Sequence, residues 1–136
     1  LTKMAYPSAA LRRDFTINSI AYDPLNHQFL DPFQGRRDLE RKILRHISSS
    51  FSEDPLRVLR AMQFSARFEL RVAPETTRLC RTLELDELPK ERIFEEFKKL
   101  LLLSGLMLLL QNMKVLKSIF NGLLVSIYVF LLTTEL

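Results

Sequence analysis

The stretch Glu53-Asp54-Pro55-Leu56-Arg57-Val58-Leu59-Arg60 puts two carboxylates and two guanidiniums into the opening turns of one predicted helix. Proline suits a first helical turn because the N–H it lacks would find no partner there, and acidic residues beside it match the positive end of the helix dipole. The helix is therefore expected to start near Glu53. At about 100° per residue, Glu53, Arg57, Arg60, Phe64 and Arg67 align along one stripe, while Leu56, Val58, Leu59, Met62 and Ala66 cover much of the opposite side. One face packs, and the other presents fixed donors and acceptors of the kind that read the edge of a nucleotide base. A Glu-to-Arg pair four residues apart is also a common surface ion pair worth only about 0.3–0.5 kcal/mol. The stripe alone does not decide between a solvated face and a binding face.

On the upstream side, Phe15, Ile17, Ser19 and Ala21 alternate with Thr16, Asn18, Ile20 and Tyr22 in a β-rich run. Asp23-Pro24-Leu25-Asn26-His27 then turns the chain into Gln28-Phe29-Leu30, which predicts a short hairpin with His27 at its tip. Residues 36–44 read as a helix, residues 44–47 as a short strand and Ser48-Ser49-Ser50 as a linker. Downstream, Pro74-Glu75-Thr76-Thr77 and Pro89-Lys90-Glu91-Arg92 each open a further helix. The expected class is α+β and mostly α, with only helices beyond residue 50.

Four blocks stand in order along the chain. They are Arg12-Arg13-Asp14-Phe15-Thr16-Ile17-Asn18-Ser19-Ile20-Ala21-Tyr22, Asp31-Pro32-Phe33-Gln34-Gly35-Arg36-Arg37-Asp38-Leu39, the run from Glu53 to Phe68, and Leu88-Pro89-Lys90-Glu91-Arg92-Ile93-Phe94-Glu95-Glu96. In this order and at these intervals they closely resemble the class II tRNA nucleotidyltransferase and bacterial poly(A) polymerase family, from about residue 11 to residue 103. The resemblance implies the C-terminal part of a nucleotidyltransferase head in residues 1–50, a helical neck with the nucleotide-reading helix in 51–103, and an apolar, divergent or truncated helical tail in 104–136.

Roles follow from the same resemblance. Asp54 and Arg57 would hydrogen-bond the Watson–Crick edge of CTP or ATP, with Glu53 orienting Arg57. A carboxylate only accepts and a guanidinium only donates, so together they complement a base that presents both kinds of group. Arg60 would meet the triphosphate, and Arg12, Arg13 and Asp14 would hold ribose and phosphates. Asp31, Gly35 and Asp38 match a turn-and-hinge block, and Glu91 and Arg92 match a block that braces the reading helix. The implied activity is template-independent addition of C and A to the tRNA 3′ end, with ATP and CTP as substrates and Mg2+ as metal. Poly(A) addition and a non-catalytic nucleotide- or RNA-binding remnant are the alternatives.

Two departures qualify the likeness. The family usually has a glycine pair after Asp-Pro-x, and Gln34 stands in place of the first, where positive φ would be free only to glycine. The family's metal-holding Asp-x-Asp pair lies upstream of the Arg-Arg-Asp block, and the eleven residues before Arg12 contain no Asp or Glu. Asp38-Leu39-Glu40 and Glu84-Leu85-Asp86 mimic the spacing, but in helices residues two apart diverge. No catalytic or metal-binding residue is therefore expected here, Mg2+ would be held outside this chain by a catalytic segment preceding it, and the chain alone would be inactive.

Composition fits a nucleic-acid-facing protein. The 136 residues carry 20 Lys and Arg against 16 Asp and Glu, with 12 basic against 8 acidic residues over 1–73. A positive first half would attract a triphosphate or an RNA acceptor end. Cys80 is the only cysteine, which excludes an internal disulfide and a zinc cluster, and it is expected to lie buried on a helix. With no signal-peptide pattern the expected compartment is the cytoplasm. The leucine-rich runs of residues 100–110 and 119–132 are shorter than the roughly 18–20 residues a membrane span needs, so no span is expected. Exposed leucines there would favour self-association.

Overall fold

The computed structural model describes residues 6–96 other than Asp86, together with residues 98 and 99. A short helix α1 (Tyr6–Ala10) leads into a 3-10 turn (Thr16–Ser19) and an antiparallel hairpin of β1 (Ala21–Asp23) and β2 (Gln28–Leu30). Then follow α2 (Gly35–Glu40), β3 (Ile43–Leu44), a 3-10 turn (Ser49–Glu53), α3 (Arg57–Phe68), β4 (Arg71–Val72) and α4 (Pro74–Arg81). Residues 90–96 are again helical. This is the mixed, mostly helical class that the sequence predicts.

The hairpin lies where expected, with Tyr22 opposite Phe29 and His27 in the turn at φ 49°. The alternating run before it does not extend as a strand. Ser19 Oγ donates to Thr16 O at 2.7 Å and Asn18 Oδ1 accepts from Phe15 N at 3.1 Å, so short polar side chains capture the backbone and coil residues 16–19. The helix expected over 36–44 is shorter, and β3 begins earlier than the strand expected over 44–47. Two-residue β4 pairs in parallel with β3, through Arg71 N to Lys42 O and Ala73 N to Leu44 O, each at 2.8 Å. The segment beyond residue 50 is therefore not wholly helical.

The reading helix also starts later than expected. Asp54 precedes a proline, whose ring disfavours the helical region for its neighbour, and Asp54 is extended at φ −129°, ψ 100°. The chain therefore makes a 3-10 turn up to Glu53 and begins α3 only at Arg57. Residues 83–85 form a connection after α4, so Glu84-Leu85 is not helical, and Asp86 and the tail 104–136 lie outside the described residues.

A hydrophobic core joins the segment around Phe15 to β3, the second 3-10 turn, α3, β4 and α4. Phe15, Leu44, Phe51, Val58, Leu59 and Leu70 are almost completely buried, and Phe15 meets Phe51 and Phe64 at centroid distances of 5.7 and 5.3 Å. Cys80 is buried on α4 as expected, and that burial pushes its thiol up to about 12. Gly35 is required by close approach, since a Cβ there would sit 2.1 Å from Thr16 O. Gln34 takes φ 58°, the left-handed conformation that the missing glycine would adopt without strain.

Candidate nucleotide-reading site

Asp14 lies one residue before the buried Phe15, in a segment tied to residues 45–47 through Thr16 N to Arg45 O at 2.9 Å and Ile47 N to Asp14 O at 3.3 Å. That attachment carries the Asp14 carboxylate to the start of α3. Its Oδ1 forms an ion pair with Arg57 Nε at 3.0 Å and its Oδ2 accepts from Arg60 Nε at 2.5 Å. The Arg57 guanidinium also donates from Nη1 to Ser50 O at 2.6 Å and from Nη2 to Arg12 O at 3.3 Å. Two of its N–H groups thus donate to backbone carbonyls while Asp14 balances its charge. Its side chain is only 15% exposed, against 41% for Arg60. A guanidinium fixed on three sides in a partly dry setting is a rigid donor, which is what discrimination by hydrogen bonding needs.

Asp54 stands three residues before α3. Its Oδ1 accepts from Leu56 N at 3.1 Å and its backbone carbonyl from Arg57 N at 3.0 Å, so it fixes the turn that delivers Arg57. Asp54 and Arg57 are both only partly buried. Glu53 is exposed and makes no ion pair among the described residues. In this structure the acid paired with Arg57 is Asp14 and not Glu53. Arg12 and Arg13 are exposed beside the cluster, whereas both Asp14 oxygens face arginine.

The structure spreads the remaining expected residues over supporting positions. Asp31 caps α2 by accepting from Gly35 N at 2.7 Å and Arg36 N at 3.0 Å. Buried Asp38 accepts from Thr16 Oγ1 at 2.8 Å and Arg45 Nε at 3.1 Å, and Arg45 reaches on to Glu75 of α4. His46 adds a second tie to α4, since its backbone N and its Nδ1 both meet Thr76 Oγ1, at 3.1 and 2.8 Å. Burial, with the positive charge of Arg45 beside it, lowers the His46 pKa below its ordinary value.

Glu91 and Arg92 are exposed, which does not match a bracing role. Glu96, one turn further along the same face, makes the contact instead. Gln63 Nε2 donates to Glu96 Oε2 at 2.7 Å and to its carbonyl at 2.9 Å. Burial alone would push the Glu96 carboxyl up, but hydrogen bonds from Lys99 and Gln63 and the positive charges of Lys99 and Arg60 outweigh it and hold the group below the usual range. Glu96 is the contributor missed at the level of sequence, and Asp14, which the resemblance places at ribose and phosphates, pairs here with Arg57 and Arg60. An acidic residue one helical turn from Arg92 is the only signal of Glu96.

The described residues do not fit a divalent metal. No group of three His, Cys, Asp or Glu among them is placed to hold one, and Asp38 is paired with Thr16 and Arg45 while Glu40 is exposed. No helix among the described residues is long and apolar enough to cross a membrane.

A family model of the poly(A) polymerase head domain matches residues 4–45. The multifunctional CCA protein of Xanthomonas oryzae pv. oryzae (strain MAFF 311018) is 48% identical over 98 residues, covering 67% of this chain and 24% of that protein. The chain thus spans about a quarter of the length of this curated relative. A CCA-adding enzyme solved with ATP superposes with a TM-score of 0.73 at 30% identity, over 88% of this chain and 31% of the other. The Bacillus stearothermophilus CCA-adding enzyme in complex with CTP gives 0.65 at 35%, over 71% and 25%, and the Thermotoga maritima CCA-adding enzyme complexed with tRNA gives 0.70 at 31%, over 86% and 31%. Sequence blocks, fold and relatives agree, and the chain belongs to the family of class II tRNA nucleotidyltransferases and bacterial poly(A) polymerases.

Proposed function

We propose that this chain supplies nucleotide binding and base selection in a template-independent RNA nucleotidyltransferase that adds C and A to the tRNA 3′ end. The observation that carries this reading is the clamp of Asp14 on Arg57 and Arg60, which fixes two cations at the start of α3 beside Asp54. Cytosine and adenine each offer an amino donor next to a ring-nitrogen acceptor. Asp54 would accept from the amino group while a remaining Arg57 N–H donates to the ring nitrogen. Uracil and guanine reverse this order, bringing a carbonyl against the carboxylate and an N–H against the guanidinium, so they are rejected by repulsion and lost hydrogen bonds. Arg60, more open and bearing the same charge, is assigned to the triphosphate, with Arg12 and Arg13 at its ribose and phosphate end.

Related enzymes were solved with ATP, with CTP and with tRNA, which supports the same partners here. Nucleotidyl transfer uses two metal ions held by carboxylates. The described residues do not hold them, so Mg2+ belongs to another part of the enzyme in this reading and no chemical step is assigned to this chain. Residues 1–50 are assigned to the end of the head and residues 51–103 to the neck, and the cytoplasm is the proposed compartment.

Isothermal titration with the four ribonucleoside triphosphates tests the reading. CTP and ATP should bind, with GTP and UTP at least about tenfold weaker, since an unpaired buried polar edge costs about 1–3 kcal/mol. Equal binding of all four, or of none, contradicts it. The head-domain match is described as that of a poly(A) polymerase, which favours ATP-only addition as the second reading, and ATP binding without CTP binding would select it.

A further inference from the structure

The hairpin of β1 and β2 carries an aromatic surface that the reading site does not use. Tyr22 and Phe29 are direct cross-strand partners, so their side chains leave the same face, and their rings lie 5.2 Å apart between centroids at 58°. Both are about half exposed, at 50% and 53%, although aromatic side chains of this size usually fill a core or an interface. Arg36 of α2 places its guanidinium 4.8 Å from the centre of the Phe29 ring, and Tyr22 Oη meets His27 Nδ1 at 3.1 Å. Arg37, Arg41 and Lys42 are exposed on and just after α2. The carboxylates in and just after the hairpin are engaged by local donors. Asp23 accepts from Leu25 N and Asn26 N in the turn, and Asp31 caps α2. An open depression of about 300 Å³ lies beside Phe29, bordered by Tyr6, Pro7, Leu30 and Pro32.

We propose that this hairpin face is a stacking platform for unpaired bases of an RNA strand. Open aromatic faces accept any base, and an arginine layered on a ring can both stack on a base and meet its phosphate. The exposed cations fit a polyanion better than an apolar protein surface, which would leave them facing uncharged groups. None of these residues is bonded to Asp14, Arg57 or Arg60, so the platform goes beyond the nucleotide-reading proposal and stands or falls separately from it.

Fluorescence anisotropy of a labelled single-stranded oligouridylate titrated with the full chain tests it, uridine being the base that the reading site rejects. The double variant Tyr22→Leu/Phe29→Leu keeps apolar volume but removes both π faces, and it should bind the RNA at least about tenfold more weakly while CTP titration is unchanged. Tyr22→Phe, which keeps the ring, should bind like the parent. Arg36→Ala, on an exposed helix surface, should weaken binding and lower the salt slope by about one. An unchanged Kd in the double Leu variant overturns the proposal. So does a concentration-dependent dimer in sedimentation that persists in the Leu variant and dissociates in Tyr22→Ala/Phe29→Ala, because the face would then be an apolar contact between copies.

Discussion

Asp14 gives both of its carboxylate oxygens to guanidiniums of α3, so three charged groups share one partly buried site and each depends on the others. Removing one partner of such a cluster leaves uncompensated charge, at a cost of about 3 kcal/mol. Asp14→Asn should therefore lower stability in urea by roughly that amount and weaken all nucleotides together, because it loosens Arg57 and Arg60 at once. A loss confined to one base would show that Asp14 reads the base itself. Gln34 makes the opposite case. A side chain held at φ 58° is strained by about 1 kcal/mol, and its hydrogen bond to Arg37 Nη1 at 3.2 Å is exposed and weak. Gln34→Gly is expected to raise the unfolding free energy by about 0.5 kcal/mol after the added flexibility of the unfolded chain is deducted. Destabilisation in the same measurement would mean that the Arg37 contact outweighs the strain. The absent glycine was legible in the sequence, and the backbone it left behind has the conformation a glycine would relieve.

At the scale of elements, local chemistry explains both what could be read and what could not. The helices opening at Pro74 and near Pro89 announced themselves because proline and acid in a first turn satisfy that end without outside help. Pro55 carries the same signal, yet its effect on Asp54 delays α3 to Arg57. The pairing of β3 with β4 joins residues about thirty positions apart, and a two-residue strand carries no periodicity to reveal it. The same distance hides the ties of α4 to residues 45 and 46. His46 gives that junction a pH dependence. Its folded pKa lies below the ordinary value of about 6.5, so the unfolded chain takes up a proton that the folded chain refuses. The contribution is whole above about pH 6.5 and is lost as pH falls from there toward the folded value. Denaturation at a series of pH values should show this decline in the parent chain and a shallower one in His46→Gln. Parallel profiles would remove His46 from the account.

Over the whole molecule, the segment around Asp14 and the start of α3 meet across one aromatic core, and the reading site sits where they join. The stripe of Arg57 and Arg60 was visible from helical spacing alone. Its pairing with Asp14 was not, because 43 and 46 positions of chain separate the acid from its partners, and the packing of Phe15 against Phe51 and Phe64 together with the backbone ties to residues 45–47 brings it near. Selection by Arg57 is the central claim, and it is separable from the clamp. A damaged clamp weakens every nucleotide, whereas a lost reader erases the difference between them. The direct measurement is the ratio of CTP to UTP affinity in the parent chain and in Arg57→Ala, with Arg60→Ala beside them. The account predicts a ratio of about ten or more in the parent, a ratio near one in Arg57→Ala, and an unchanged ratio with weaker binding of both in Arg60→Ala. A preference for CTP that survives in Arg57→Ala would contradict it.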